Sequence, residues 1–254
     1  DVVKGDSDEY IAIVEYGDRL LAFKQKTLFV INVSSPSPAG WFLEKTFKHN
    51  GIQHKEAVFR SEDGVVWVNS AGCWLYNGSN MVNLVENKLD TVNATNSNTE
   101  HGLSWKDFYD NNSIVGYSPK YKQIIIIQDS EGAPDPNNTL IYDFRTRSWV
   151  QNSDQGTFFN NVVYSNFVLD GNGDLAIMTT GGVIRYYTPA SSSSTTGIEL
   201  ITKFIDFGNP YNLKKVYKII VSYKSSAAQA DPIECRYIDS SGDMQGFADV
   251  DGSV

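Results

Sequence analysis

Apolar and polar positions along this chain fall into a cadence that returns three times with few gaps, over residues 18–31, 63–76 and 173–186. Each copy holds an apolar run, a short polar turn and a second apolar run, the pattern of a β-hairpin. A further copy pairs 123–127 with 139–144 across a longer turn. The copies stand roughly 45–60 residues apart, a spacing that marks stacked or radial repeats. A repeating β-unit cannot bury its own faces and must pack on its neighbours. The expected fold is therefore all-β: propeller blades of four antiparallel strands, about four of them within 1–190.

In the first unit the pattern predicts a strand at 10–16, a hairpin over 20–33 and a fourth strand at 41–47. Proline is confined to the connection 34–40, where a missing ladder N–H does no harm. The second unit predicts strands at 55–60, 65–69 and 73–76, then Asn77-Gly78 as a hairpin-type turn, since both residues tolerate positive φ. From 81 to 112 the alternation weakens. Met81, Leu84, Val85 and Leu89 have helix-like spacing, 91–101 is an exposed Asn-, Thr- and Ser-rich loop, and Ser104 opens a short helical turn to Phe108. The third blade takes 113–117, 123–128, 139–144 and 148–150, its central hairpin extended by the polar insert 129–138. The fourth spans 161–189 around the turn Asp170-Gly-Asn-Gly-Asp174. A Ser/Thr linker at 191–197 leads to alternating strands at 198–207, 215–223 and 233–238, which predict a β-sandwich-like segment over 198–254, truncated at its end.

Composition agrees with a β class: of 254 residues 13% are aromatic, a type that fits a half-buried pleated surface. The formal charge is −9, and no basic run exceeds Lys214-Lys215. Adhesion to phosphate backbones needs clustered Lys or Arg, so sequence-specific nucleic-acid binding is not expected. An acidic surface can act on DNA in the opposite sense, repelling it from channel walls so that it slides. No apolar stretch approaches 18 residues, and membrane insertion is not expected. Cys73 and Cys235 read as buried free thiols. The chain begins without Met and stops in a turn-like segment at 249–254, as an excerpt of something longer would.

Candidate chemistry is sparse, and no catalytic, cofactor-binding or metal-binding residue is assigned. Asp170-Gly-Asn-Gly-Asp174 alternates oxygen side chains as a calcium loop does, but Leu175 and Gly181 occupy positions where an EF-hand needs Gly and an acid. A tight strand connection explains it. His49, His54 and His101 lack a third ligand nearby and read as surface histidines. The nucleophile elbow, the phosphate loop with Lys and the zinc-helix motif are all missing. Carboxylate pairs from distant positions keep a glycosidase reading open, and Trp41, Trp105 and Trp149 are candidate sugar platforms. The competing reading is that Trp149 locks the outer strand of a blade.

Ser61-Glu-Asp-Gly64 with Trp67 resembles the aspartate box of sialidase-type propellers, one residue short before the Trp and present once. Such a box is structural. Arg19, Arg60, Arg145, Arg147, Arg185 and Arg236 show no carboxylate-binding motif of the kind sialidases use.

Tyr142-Asp-Phe-Arg-Thr-Arg-Ser-Trp149, preceded by 114–117 and 123–127, is similar to the blade ending in kelch-like propellers and in propellers of tailed-phage virion proteins. The kelch double glycine occurs only as Gly181-Gly182. The opening, 11–23 with 28–31, also resembles phage neck and tail propellers. Residues 202–210 with 214–220 resemble the segment that leaves the propeller for a β-sandwich in those tail components. The resemblance implies a non-enzymatic structural protein of the virion, a nozzle, hub or neck subunit of a short-tailed bacteriophage. Its partners would be copies of itself in a ring around the DNA exit path and other tail or neck proteins. It carries over no catalytic residue and no cofactor. The alternative of a different class is a receptor-binding adhesin that recognises host surface glycans.

Overall fold

The computed structural model describes residues 8–86, 88–89, 104–128, 139–151, 166–178 and 182–189, and the backbone of two strands at 236–238 and 244–246. The chain divides into two compact units, Asp1–Ala94 with His101–Gly197, and Thr95–Glu100 with Ile198–Val254.

Among the described residues the first unit is built from β-strands joined by turns and loops, with only one α-helical turn and two short 3₁₀ turns. Its first sheet runs in chain order β1 (Tyr10–Tyr16), β2 (Arg19–Lys24), β3 (Thr27–Asn32) and β4 (Phe42–Lys48). The second is β5 (Val58–Arg60), β6 (Val65–Asn69), β7 (Gly72–Tyr76) and β8 (Met81–Asn83). A one-turn helix α1 (Trp105–Phe108) precedes the third sheet, β9 (Ile114–Ser118), β10 (Gln123–Ile127), β11 (Thr139–Asp143) and β12 (Ser148–Gln151). The fourth has three strands among the described residues, β13 (Phe167–Leu169), β14 (Leu175–Met178) and β15 (Ile184–Tyr186). Every pairing is antiparallel between chain neighbours. The first strand of each sheet lies against the first strand of the next: β1 on β5, β5 on β9, β9 on β13. This is the packing of propeller blades, each a meander with its first strand innermost.

The run Ile124–Ile127 shows why the sequence reads as it does. Ile124 and Ile126 join the core that the third blade shares with the first two, among Leu21, Phe23, Val66 and Trp67. Ile125 and Ile127 point the other way, into a second core with Phe167, Leu175 and Ile177 of the fourth blade. A strand buried on both faces loses polar alternation and becomes a continuous apolar run. Each such side chain contributes about 1.5–3 kcal/mol on burial.

The pattern predicted two segments wrongly. Lys55–Ala57 is a 3₁₀ turn, and only Val58–Arg60 of the expected strand 55–60 joins the sheet. The turn tucks Ala57 into the core and is closed by its N–H on the His54 carbonyl. Met81–Asn83 is strand, where the spacing suggested helix. The Asn77 side chain accepts the N–H groups of Ser79 and Asn80, which turns the chain back to pair with β7 and completes the blade. Leu84, Val85 and Leu89 follow in a single turn, Leu89 N–H on the Val85 carbonyl, and are buried there. The expected turn of helix after Ser104 is α1.

In the second unit β16 (Arg236–Ile238), within the strand expected at 233–238, pairs with β17 (Met244–Gly246). The strands expected at 198–207 and 215–223, the segments 91–101 and 129–138, the linker 191–197, His101 and Cys235 lie outside the described residues. Among the described residues no helix is long and apolar enough to cross a membrane.

Candidate functional site

At the end of each blade where its first strand turns into its second, polar side chains reach the neighbouring blade. Arg60 at the end of β5 pairs with Glu15 of β1 at 2.7 Å, and the Tyr16 hydroxyl donates to the Glu62 carbonyl at 3.2 Å. The Tyr117 hydroxyl, from β9, donates to Asp63 Oδ2 at 2.5 Å and to Glu62 Oε1 at 3.2 Å, while the Lys122 ammonium holds Glu62 from the same blade. Lys120 then pairs with Asp174 of the fourth blade at 2.9 Å, and Tyr187 donates to Gln123 Oε1 at 2.8 Å. The three joints are thus stitched in succession.

The densest of these clusters is the Ser61–Gly64 turn. Ser61 N–H and hydroxyl both donate to the Gly64 carbonyl, at 2.8 and 2.7 Å. Gly64 takes φ +148°, and a Cβ there would meet the Tyr76 carbonyl at 2.3 Å, so glycine is required. The Lys122 ammonium, by hydrogen bond and charge, holds the Glu62 carboxyl below its ordinary value. Burial, and then the Asp63 carboxylate, push the Tyr117 phenol up. A phenol held protonated between two carboxylates is a donor in a charge-assisted bond, not a base or nucleophile. The cluster is a clamp. Trp67, the partner of this turn in the sialidase-like motif, is fully buried, stacked on Trp74 at 6.3 Å and edge-on to Phe23 at 5.3 Å.

The other candidates resolve into structural roles. Asp170 Oδ1 accepts the N–H groups of Asn172 and Asp174, which hold its carboxyl below the usual range, so this oxygen serves its own turn. Among the described residues no group of three metal-ligating side chains comes together. His54 pairs with Glu56 at 3.1 Å, and His49 sits at φ +64° with its carbonyl toward the Asn69 amide. Arg19, Arg60 and Arg145 each answer separate carboxylates, on Glu44, Glu15 and Asp143. Burial pushes the Cys73 thiol up and leaves it a small apolar side chain. Of the three candidate sugar platforms, Trp105 is buried with its indole N–H on the Asn69 carbonyl. Trp149 donates to the Leu84 carbonyl at 2.9 Å and so locks the outer strand of its blade. Only Trp41 is exposed, at 44%.

Two polar centres were not anticipated. Asn69 donates to the Gly51 carbonyl at 3.0 Å and accepts from Ala71 N–H and the Trp74 indole, tying the loop after the first blade to the second. Its signal was faint: an Asn closing an apolar strand before a tight turn. Asp143 accepts from Arg145 through both oxygens, from Gln123 and from the Thr146 N–H. The Arg145 guanidinium, with these further donors, holds its carboxyl far below the ordinary range. This is the physical content of the blade-ending motif: Asp143 closes the turn and Trp149 fastens the strand that follows.

No protein-family pattern matches the chain. No curated protein matches it in sequence. Among solved structures it is similar to the computationally designed Ika4 protein, with 13% identity and a TM-score of 0.39 over 73% of this chain and 94% of that one.

Proposed function

We propose that this chain is a structural subunit of a bacteriophage virion, part of a tail or neck, that works by rigid assembly and not by turnover. The observation that carries the reading is the succession of clamps across the joints: the carboxylates of Glu15, Glu62, Asp63 and Asp174 serve to couple one blade to the next. A body stiffened in this way suits a spacer or wall. Its partners would be copies of itself in an oligomeric ring and other tail or neck proteins, and the charge of −9 suits a nozzle or hub around a DNA exit path. The resemblance of its blade endings to tailed-phage propellers supplies the setting.

The test is an image of purified native particles in which this chain is labelled. Label on the tail or neck, repeated by rotational symmetry, is the expected result, and particles that lack the chain overturn it. Specific capture on a glycan array, through exposed Trp41 and its neighbour Phe42, would favour the adhesin instead.

A further inference from the structure

We propose that Asn77 is a site of spontaneous covalent modification: the fold selects it, among three chemically alike dipeptides, for closure to a cyclic imide that opens to isoaspartate or aspartate. Asn-Gly occurs at 50–51, 77–78 and 172–173, and all three lie among the described residues. Asparagine is a labile side chain, and a following glycine offers a backbone nitrogen with no side chain to shield it. Sequence alone therefore ranks the three together.

Their surroundings separate them. Asn50 is buried, and its amide nitrogen donates to the Lys48 carbonyl at 3.2 Å. Gly51 lies so close to the Lys24–Gln25 backbone that even a Cβ would overlap the Lys24 carbonyl, which leaves no room for a ring to close. Asn172 is exposed, but the Gly173 N–H that would attack it is committed to the Asp170 carbonyl at 3.1 Å. Asn77 is also exposed, and among the described residues no acceptor takes the Gly78 N–H. Its Oδ1 accepts the N–H groups of Ser79 and Asn80 at 3.1 and 2.9 Å. Two backbone donors on a carbonyl oxygen draw electrons from its carbon and stabilise the negative oxygen that forms under attack, as an oxyanion hole does.

In the reaction the Gly78 N–H gives its proton to hydroxide and the nitrogen bonds to Asn77 Cγ. The Cγ–Nδ2 bond then breaks, and the amide nitrogen leaves as ammonia with a proton from water. A second water opens the imide. Attack at Cγ gives aspartate in a normal chain, whereas attack at the main-chain carbonyl reroutes the backbone through Cγ as isoaspartate. The turn that changes is also a seam. It sets the pairing of Tyr76 with Met81, a Cβ on Gly78 would lie 3.4 Å from the Tyr16 ring of the first blade, and Lys45 of that blade donates to the Ser79 carbonyl at 3.3 Å. Isoaspartate lengthens the backbone by one carbon and takes Oδ1 out of its turn, so conversion loosens β8 and its hold on the first blade irreversibly.

The test ages the whole chain in mildly alkaline buffer, folded and in urea, and reads each Asn-Gly peptide by mass spectrometry with isoaspartate resolved from aspartate. In the folded chain Asn77 should gain one mass unit roughly tenfold or more faster than Asn50 or Asn172, and in urea the three rates should converge. The urea midpoint of the aged protein should fall, while Asn77→Ser, which keeps an acceptor for the turn, should hold its own midpoint through the same treatment. Conversion at Asn50 or Asn172 as fast as at Asn77 in the folded chain overturns the selection. So does a folded Asn77 that stays intact while the unfolded chain converts. An equal fall in midpoint for Asn77→Ser overturns the link to the seam.

Discussion

Tyr117 donates its hydroxyl to Asp63 at 2.5 Å across the joint between the second and third blades, 54 positions apart in the chain. The ring is buried against Phe144 while the hydroxyl emerges between two carboxylates, so one side chain contributes both apolar packing and a charge-assisted bond. Removing the oxygen alone separates the two contributions. Tyr117→Phe should destabilise the protein by about 1.5–3 kcal/mol, the range for a hydrogen bond to a charged group. A double-mutant cycle with Asp63→Asn, read from urea midpoints, should return a coupling of at least about 0.5 kcal/mol; additive effects would mean that the two residues do not form a clamp.

Acid should release the turn after β11. The folded-state pKa of Asp143 lies below its unfolded value, so its stabilisation is complete above the unfolded value, about 3.9, and is lost as pH falls through the folded one. Asp143→Asn should therefore cost most near neutral pH, with the gap from wild type narrowing below about pH 4. Thermal midpoints measured from pH 7 down to pH 2.5 check this, and a gap that stays constant refutes it.

Close approach of backbone to ring defines the joint between the third and fourth blades. A Cβ on Gly116 would lie 2.5 Å from Cγ of Phe167, which is itself buried. Gly116→Ala should cost about 1–3 kcal/mol through overpacking. Phe167→Leu in the same background should recover part of that loss, although it is destabilising alone. Chemical denaturation of the two single variants and the double variant measures this, and a neutral Gly116→Ala would show that the ring moves aside freely.

Asn69 offers a test with an internal control. Its side chain accepts from the Trp74 indole N–H, whereas its backbone carbonyl accepts from the Trp105 indole N–H. Asn69→Ala should destabilise by at least about 2 kcal/mol by stranding several buried groups. In hydrogen exchange followed by NMR, the Trp74 indole should lose protection relative to Trp105. Equal loss at both indoles would assign the effect to general loosening.

The long strands were legible in the sequence because burial writes itself as period. β1 alternates in part, whereas β2 and β3 carry consecutive buried positions at 21–24 and 28–30, and 124–127 run apolar because both faces are covered. Three residues are too few to show a period, which is why Met81–Asn83 read as part of a helix; its pairing is imposed by the Asn77 turn and by register with β7. The clamps were invisible for a different reason. Tyr117 and Asp63, or Trp149 and Leu84, lie 54 and 65 residues apart, and only the packing of one blade on the next brings such pairs together. The acidic turn at Ser61–Gly64 could be recognised, but not which blade it would hold.

The two-sided isoleucine run of β10 has a consequence for how this sequence can drift. A polar replacement at Ile124 injures the seam with the second blade and one at Ile125 the seam with the fourth, so no position between 124 and 127 is safe for a soluble side chain. Among natural variants of this chain the middle blade should therefore be the slow clock, with change accumulating first on the exposed outermost strands, β4 above all.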